Sequence, residues 1–134
     1  MQRLLTFPIN GKDVPIKFVE FMNVKDGVDC EVYAFVNDDT KDLGIVTVRQ
    51  GSSTPKQKVL QGKRTIEGYL SGKGVLKITQ ASGERLSYAF PNTAGLKEVT
   101  VIVGDTMQWA ADEELVFYEI CEPPYRDGRF QNLD

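Results

Sequence analysis

Short runs of β-branched, aromatic and aliphatic residues, each bounded by turn-forming residues, recur along the whole chain. Runs repeated at intervals of about 8–12 residues are typical of the strands of a sandwich or barrel. The intervening segments carry Gly, Asn, Asp, Pro or Ser, which tolerate the dihedral angles of tight turns. The pattern predicts an all-β domain with little helix. The predicted strands are RLLTF (3–7), PIKFVEF (15–21), CEVYAFV (30–36), LGIVTVR (43–49), RTIEGYL (64–70), GVLKITQ (74–80), ERLSYAF (84–90), EVTVIV (98–103) and ELVFYEIC (114–121).

Segment 107–120 is where a helix competes best with a strand. Its first half, with Ala110, Ala111 and three acidic residues, favours a short helix or turn, whereas LVFYEI in its second half has strand propensity. We interpret the segment as a loop that enters a strand. The tail after Cys121 contains two prolines and a glycine, so it is predicted to be irregular and to pack on the barrel through Tyr125 and Phe130. A chain of 134 residues is expected to form one domain, 1–134.

The chain contains no histidine. This excludes a Ser-His or Cys-His nucleophile pair, an imidazole general base and an imidazole metal ligand. Any catalysis must therefore use carboxylates, Lys, Tyr, Cys or an external cofactor.

The charge and the ends of the chain restrict its partners. A formal net charge of −3 disfavours nucleic acid and anionic membranes as partners. The scattered Cys30 and Cys121 are typical of reduced core residues rather than of a disulfide framework. The N-terminal apolar stretch is short and is broken by Pro8 and Asn10, so it predicts neither a signal peptide nor a membrane span. The expected location is cytoplasmic.

Two segments resemble conserved motifs of the cupin superfamily. The run TIEGYLSGKGVLKIT (65–79) is similar to the middle of the first cupin motif, in which a strand leads into a Gly-x-Gly hairpin and a second strand. Gly104-Asp105 and the later run DEELVFYEICEPP (112–124) resemble the second motif and the strand after it. The two matches cover about residues 43–124. The resemblance implies a double-stranded β-helix, the cupin or jelly-roll barrel, on which the N-terminal strands and the C-terminal tail pack.

The usual cupin metal ligands are missing from both motifs. Counting back from Gly72 puts Thr65 where the family has a Glu, and the second motif, GDTMQWAADEEL, is shorter and has no histidine. We therefore predict neither a metal nor a cofactor, and we do not carry over the family's metal-dependent oxygenase or isomerase activity or its His-based epimerase mechanism. The positions of the family's two other histidines fall among Lys58, Val59, Leu60 and Gln61.

Glu67 is the candidate catalytic residue. If Thr65 faces the barrel interior, as the family's Glu does, strand alternation turns Glu67 and Tyr69 inward as well. An inward carboxylate beside an aromatic ring has a raised pKa unless it is paired, so it can serve as a base or as a ligand anchor. The alternative is a register that differs by one residue and leaves Glu67 on the surface. Glu67, Glu119 and Asp112 can in principle bind a hard cation, although their spacing is not typical of such a site.

Other candidates flank the lost histidines and lie in the second motif. Gln57 and Lys58 either hold a polar ligand or belong to a solvated, Lys-rich loop. Trp109, the one tryptophan, either stacks on a ligand at the barrel mouth or fills the space of the lost metal site, and Gln108 points to the opposite face. The predicted ligand-binding residues are Gln57, Lys58, Thr65, Glu67, Tyr69, Gln108 and Trp109.

Three functions are compatible with these residues. The first is a metal-free module that binds a small polar or carbohydrate-like ligand in the barrel. The second is a metal-independent isomerase or lyase for a sugar or hydroxy acid, with Glu67 as the base. The third is a scaffold with a filled barrel that acts as a homodimer. Dimerisation is common among cupin-like proteins, so the resemblance implies that a homodimer can accompany any of the three.

Overall fold

The computed structural model describes residues 5–125 and 129–133, and these residues form twelve β-strands and no helix. The all-β prediction is therefore confirmed. The strands are β1 (Leu5–Ile9), β2 (Lys12–Lys25), β3 (Val28–Phe35), β4 (Asp38–Val48), β5 (Gln57–Val59), β6 (Arg64–Ser71), β7 (Gly74–Thr79), β8 (Arg85–Phe90), β9 (Glu98–Val101), β10 (Thr106–Ala111), β11 (Leu115–Glu122) and β12 (Phe130–Asn132). None of the described residues belongs to a helix of the length and hydrophobicity needed to cross a membrane.

The strands form two antiparallel sheets. One sheet has seven strands in the order β1-β2-β3-β4-β11-β6-β9, and the other has five in the order β12-β5-β10-β7-β8. The turn between β6 and β7 links the two sheets at Gly72, whose φ is +90°. A Cβ at Gly72 would lie 1.8 Å from the carbonyl oxygen of Glu114, so this turn requires glycine. The predicted Gly-x-Gly hairpin is wrong in one respect, because β6 pairs with β11 and β9 rather than with β7.

The main core lies between the inner faces of the two sheets. The seven-stranded sheet contributes Val46, Val48, Leu115 and Phe117, among others, and the five-stranded sheet contributes residues that include Trp109. Because successive side chains of a strand point to opposite faces, the same alternation that places Phe117 inside also turns Glu119 and Cys121 inward.

A second core cluster covers the other face of β11. It contains Phe7, Ile16, Phe35, Leu43, Tyr118 and Ile120. The rings of Phe7 and Tyr118 meet edge to face with centroids 5.1 Å apart, although three strands separate β1 from β11 in the sheet. The sheet therefore curls, so that β1 packs over part of its outer surface.

The predicted loop or short helix at the start of segment 107–120 is wrong. Residues 106–111 form β10, which pairs with β7 along its whole length and with β5 at its start. Burial along β10 alternates with a period of two, as expected for a strand. The buried residues are Met107, Trp109 and Ala111, and the residues between them are less buried. Pairing on both sides and the burial of one face override the helical propensity of the alanines.

Two short strands also escape prediction. β5 lies in the segment interpreted as a solvated loop, and β12 lies in the tail expected to be irregular. Each is three residues long, too short for a recognisable alternation. The tail does pack on the barrel, as Phe130 lies against the main core and its ring is 5.8 Å from that of Tyr125. Residues 3 and 4 of the first predicted strand lie outside the described residues.

Candidate functional site

The barrel interior contains a cavity of about 810 Å³. Its walls come mainly from β2, β3, β4 and β11, with Thr54, Pro55 and Gln57 on the opposite side. The surface is largely apolar and includes Val32, Val46 and Phe117. The cavity opens towards β2, where the lining residue Val19 is 56% exposed. This volume is within the range of small-molecule sites, which are typically apolar with a few polar anchors.

Aromatic side chains fill the interior beside the cavity. Trp109 is 1% exposed and stacks on Phe117 with ring centroids 4.5 Å apart. Phe90 lies 5.4 Å from Trp109 on its other side, and Tyr69 stacks on Phe90 at 5.4 Å. These packed rings fill one part of the barrel interior and leave the cavity in the other part. Phe117 packs in the ring cluster and also lines the cavity.

Two carboxyl groups meet at the boundary between these parts. Glu67 of β6 and Glu119 of β11 are directly opposite each other in the antiparallel register. Glu67 is 1% exposed, and its Oε1 accepts a hydrogen bond of 3.1 Å from Nε1 of Trp109. Glu119 is half-buried and lines the cavity, and its Oε1 accepts a bond of 3.3 Å from Sγ of Cys121. Oε2 of Glu67 is buried, and no donor among the described residues reaches it.

The electrostatics of the pair place a proton on Glu67. Burial raises the pKa of Glu67 well above its ordinary value, and both the negative charge of Glu119 and a hydrogen bond to it raise that pKa further. Burial also raises the pKa of Glu119, while hydrogen bonds from Glu67 and Cys121 oppose the rise. Two adjacent buried carboxylates cannot both ionise cheaply. The larger upward shift favours the protonated form of Glu67 over that of Glu119, which lines the cavity.

A buried arginine from the C-terminal segment lies beneath the site. Arg129 is 3% exposed and donates hydrogen bonds to the carbonyls of Pro123, Arg64 and Glu122 and to the hydroxyl of Thr65. Its positive charge favours the ionised forms of nearby carboxyls, Glu119 among them.

Further acidic residues surround the cavity. Asp42 faces it from β4, and burial raises the pKa of this carboxyl, although a hydrogen bond of 3.0 Å from the backbone N–H of Tyr125 opposes the rise. Glu20, Asp38 and Asp39 also line it. Lys41 is the one basic residue among the described lining residues, and its Nζ lies 3.8 Å from Oδ2 of Asp38.

The inward orientation predicted for β6 is confirmed. Thr65 is fully buried, Glu67 nearly so, and Tyr69 packs against the main core. The polar groups of this face are already engaged, since Arg129 holds the hydroxyl of Thr65 and the Tyr69 hydroxyl donates to the carbonyl of Gly72 at 2.7 Å. Glu67 lies behind Glu119 rather than on the cavity wall.

The structure separates the other predicted ligand-binding residues. Gln57 lines the cavity, and its side-chain amide donates to Oδ1 of Asn132 at 3.0 Å. Lys58 is exposed, and Gln108 donates to the carbonyl of Thr54 at 3.0 Å. Trp109 fills the core, the second of the two roles considered for it. A direct role of these residues in ligand binding stays a prediction.

The sequence names Glu119 only as a possible cation ligand with Glu67 and Asp112, not as the residue paired with Glu67. Both faces of β11 are apolar, so the pattern LVFYEIC does not indicate which face turns towards the cavity. Arg129 lies in a tail without periodicity, and its burial follows only from tertiary contacts. One of these contacts is with Gly62, where a Cβ would lie 2.5 Å from the guanidinium.

The donor set does not fit the metal of the cupin family. Where the family has a carboxylate ligand, this chain has Thr65, whose hydroxyl accepts a hydrogen bond from the guanidinium of Arg129. The positive charge of Arg129 would repel a metal ion at this position. Asp112 is exposed in the β10–β11 turn, so it does not complete a site with Glu67 and Glu119. Across residues 5–125 and 129–133, no group of three or more Cys, Asp or Glu side chains is arranged to hold a metal ion.

Solved structures with the same architecture identify the fold. CapF of Staphylococcus aureus, a capsular polysaccharide assembling protein, aligns over 90% of this chain and 34% of its own, with a TM-score of 0.67 and 18% identity. Oxalate decarboxylase of Lactobacillus farciminis aligns over 88% of this chain and 33% of its own, with a TM-score of 0.67 and 13% identity. The Bacillus subtilis oxalate decarboxylase covers 82% and 29%, with a TM-score of 0.66 and 19% identity.

These neighbours are cupin-fold proteins, and the chain has the cupin fold, as its two motifs predict. The chain spans about a third of the length of each neighbour. At this level of identity the likeness establishes the fold alone. No family model matches the sequence. No curated protein matches it either.

Proposed function

We propose that this protein binds a small molecule in the barrel cavity, with Glu119 as its polar anchor and without a metal ion. The cavity carries the proposal, because its volume of about 810 Å³ lies within the range of small-molecule sites. Its largely apolar wall favours a ligand with an apolar body over a carbohydrate. The half-buried Glu119 carboxylate supplies the directional contact that such a site needs.

A cavity-blocking variant tests this proposal. Val32 lines the cavity, so Val32→Phe should fill part of it, whereas Val36→Phe changes an exposed valine of the β3–β4 turn. Compounds that raise the melting temperature of the wild type should do so equally for Val36→Phe and not for Val32→Phe. A ligand at 100 times its Kd stabilises the folded state by about 2.7 kcal/mol. Equal stabilisation of both variants would place binding elsewhere.

The carboxyl pair also favours a second candidate, metal-independent acid–base catalysis on a sugar or hydroxy acid. Because Glu119 faces the cavity, it rather than Glu67 is the group able to contact a substrate, and Glu67 would hold the proton behind it. Carbon-bound hydrogen exchange in D₂O is the readout, measured on a panel of hydroxy acids and ketoses. Exchange that disappears in Glu119→Gln supports this function, and exchange that persists there rejects it.

We also propose that two copies associate through β2. The described strands leave residues 17–25 of β2 without a second neighbour, because β1 pairs only with residues 12–16. An antiparallel edge is self-complementary about a two-fold axis, so a second copy can pair with it. Light scattering should show a dimer that Phe21→Lys dissociates, and a monomeric wild type would reject the proposal. The exposed apolar residues of this edge are Phe18, Val19, Phe21, Met22 and Val24.

A further inference from the structure

Among the carboxyl groups that line the cavity, Glu119 is the one that lies directly opposite a second, buried carboxyl group, Glu67. Glu119 sits in a wall that is otherwise mostly apolar and includes Val32, Val46 and Phe117. A ligand that fills such a space must present an apolar body to the wall and a hydrogen-bond donor to Glu119. Hydrogen bonds to a charged group are stronger than those between neutral groups, so a charged donor gains most.

The charges around the cavity determine whether a cationic or an anionic ligand is favoured. The described lining residues include five carboxyl groups and one basic side chain, and that base, Lys41, already lies beside Asp38. Arg129 does not neutralise Glu119 through a direct contact, because its hydrogen bonds go to three carbonyls and the hydroxyl of Thr65. An anionic ligand would meet repulsion at the rim and at the floor, whereas a cation would meet attraction at both.

Glu67 occupies only part of the capacity of Glu119 to accept hydrogen bonds. Oε2 of Glu67 is buried and no donor among the described residues reaches it, so the protonated form of Glu67 is favoured. A proton shared between the two carboxyl groups draws on one oxygen of Glu119. The remaining capacity of Glu119 to accept hydrogen bonds faces the cavity. An ammonium group, with three donors and a positive charge, matches this arrangement.

We infer that the ligand is an amphiphilic amine, whose protonated amino group binds Glu119 and whose apolar body packs against the valine and aromatic wall. This inference rests on the proposed binding function and adds the chemical class of the ligand.

Three probes with the same phenyl body test the inference on the unmodified protein. 2-Phenylethylamine, 2-phenylethanol and 3-phenylpropionate carry a cationic, a neutral and an anionic head, and titration calorimetry at pH 7 gives the affinity of each. We expect the amine to bind at least tenfold more tightly than the alcohol and the carboxylate to bind more weakly than either. This comparison does not depend on the folding of any variant.

Glu119→Gln then assigns the preference to one residue. Glutamine keeps the size of the side chain and can still accept the hydrogen bond from protonated Glu67. In this variant the amine and the alcohol should bind within about twofold of each other, since the charged contact that discriminates them is gone. Glu113→Gln removes the same charge from an exposed turn and should keep the full preference for the amine.

The outcomes separate the ligand class from the binding function. If the alcohol or the carboxylate binds as tightly as the amine, the amine inference is wrong while the cavity remains a binding site. If the preference for the amine survives in Glu119→Gln, Glu119 is not its anchor and the inference is also wrong. If none of the three probes binds and no other compound discriminates Val32→Phe from Val36→Phe, the binding function itself fails.

Discussion

Replacing Glu67 with glutamine should make the protein more stable at neutral pH and remove much of the pH dependence of its stability. In the wild type, Oε1 of Glu67 accepts from Trp109, and the raised pKa of Glu67 favours a protonated carboxyl group that can donate to Glu119. A glutamine amide makes both hydrogen bonds without a titratable proton, because its oxygen accepts and its NH₂ group donates. The variant therefore keeps both hydrogen bonds at every pH, whereas the wild type can make both only while Glu67 is protonated.

The sign and size of the effect follow from proton linkage. Burial and the neighbouring charge of Glu119 raise the folded-state pKa of Glu67 above its ordinary value of 4.5, so folded protein binds a proton that unfolded protein releases. The stabilisation linked to this proton is fully present below about pH 4.5 and is lost as the pH rises towards the folded pKa. Each pH unit within that window costs the wild type roughly 1 to 2 kcal/mol. The glutamine variant avoids this cost.

Urea unfolding from pH 4 to pH 8 measures the difference. A single domain of this size is expected to unfold in one cooperative step, so each pH gives a free energy of unfolding. The gap between Glu67→Gln and wild type should widen with pH, while Glu113→Gln, with the same charge change at an exposed site, should follow the wild type. If the free energies of Glu67→Gln and wild type fall in parallel above pH 4.5, Glu67 is not the residue that holds the proton.

Three further substitutions or reactions test neighbouring parts of the account. Trp109→Phe removes the donor to Glu67 and should cost about 2 to 4 kcal/mol in urea unfolding, since it leaves a buried acceptor unsatisfied and reduces the stacking contacts. A cost below about 0.5 kcal/mol would contradict the hydrogen bond. Gly68→Ala places a Cβ within 1.9 Å of the Tyr118 ring and should cost about 1 to 3 kcal/mol, an effect that should shrink in a Tyr118→Leu background. Burial raises the pKa of Cys30 to about 12, so its alkylation at pH 8 should be roughly a thousandfold slower than that of a free thiol, and a rate within about tenfold would contradict this burial.

The sequence predicts the fold well because the fold depends on local periodicity. Alternation within RTIEGYL put Thr65 and Glu67 on one face, the cupin resemblance turned that face inward, and the Gly-x-Gly motif marked the turn that joins the two sheets. Prediction failed at β10, where Ala110 and Ala111 favour a helix locally but pairing with β7 on one side imposes a strand. Such pairing is a property of the assembled sheet and leaves no mark in a short window of sequence.

The site is harder to predict because it depends on register between distant strands. Glu67 is visible in the alternation of its own strand, but its partner Glu119 lies 52 positions further along, and only the β6–β11 register brings the two together. Arg129 reaches the same region from the tail and binds Thr65 from 64 positions away. The cavity likewise reflects how far the sheets curl apart, which the pattern of single strands does not specify.

Binding inside the barrel is the central claim, and methyl NMR tests it most directly. A ¹H–¹³C spectrum of selectively labelled protein, titrated with the phenyl probes, should show shifts at the methyl groups of Val28, Val32 and Val46, which line the cavity. The methyl groups of Ile16 and Ile120, which belong to the cluster on the outer face, should stay in place. A spectrum in which no cavity methyl moves, or in which the outer-face methyls move first, would contradict the account.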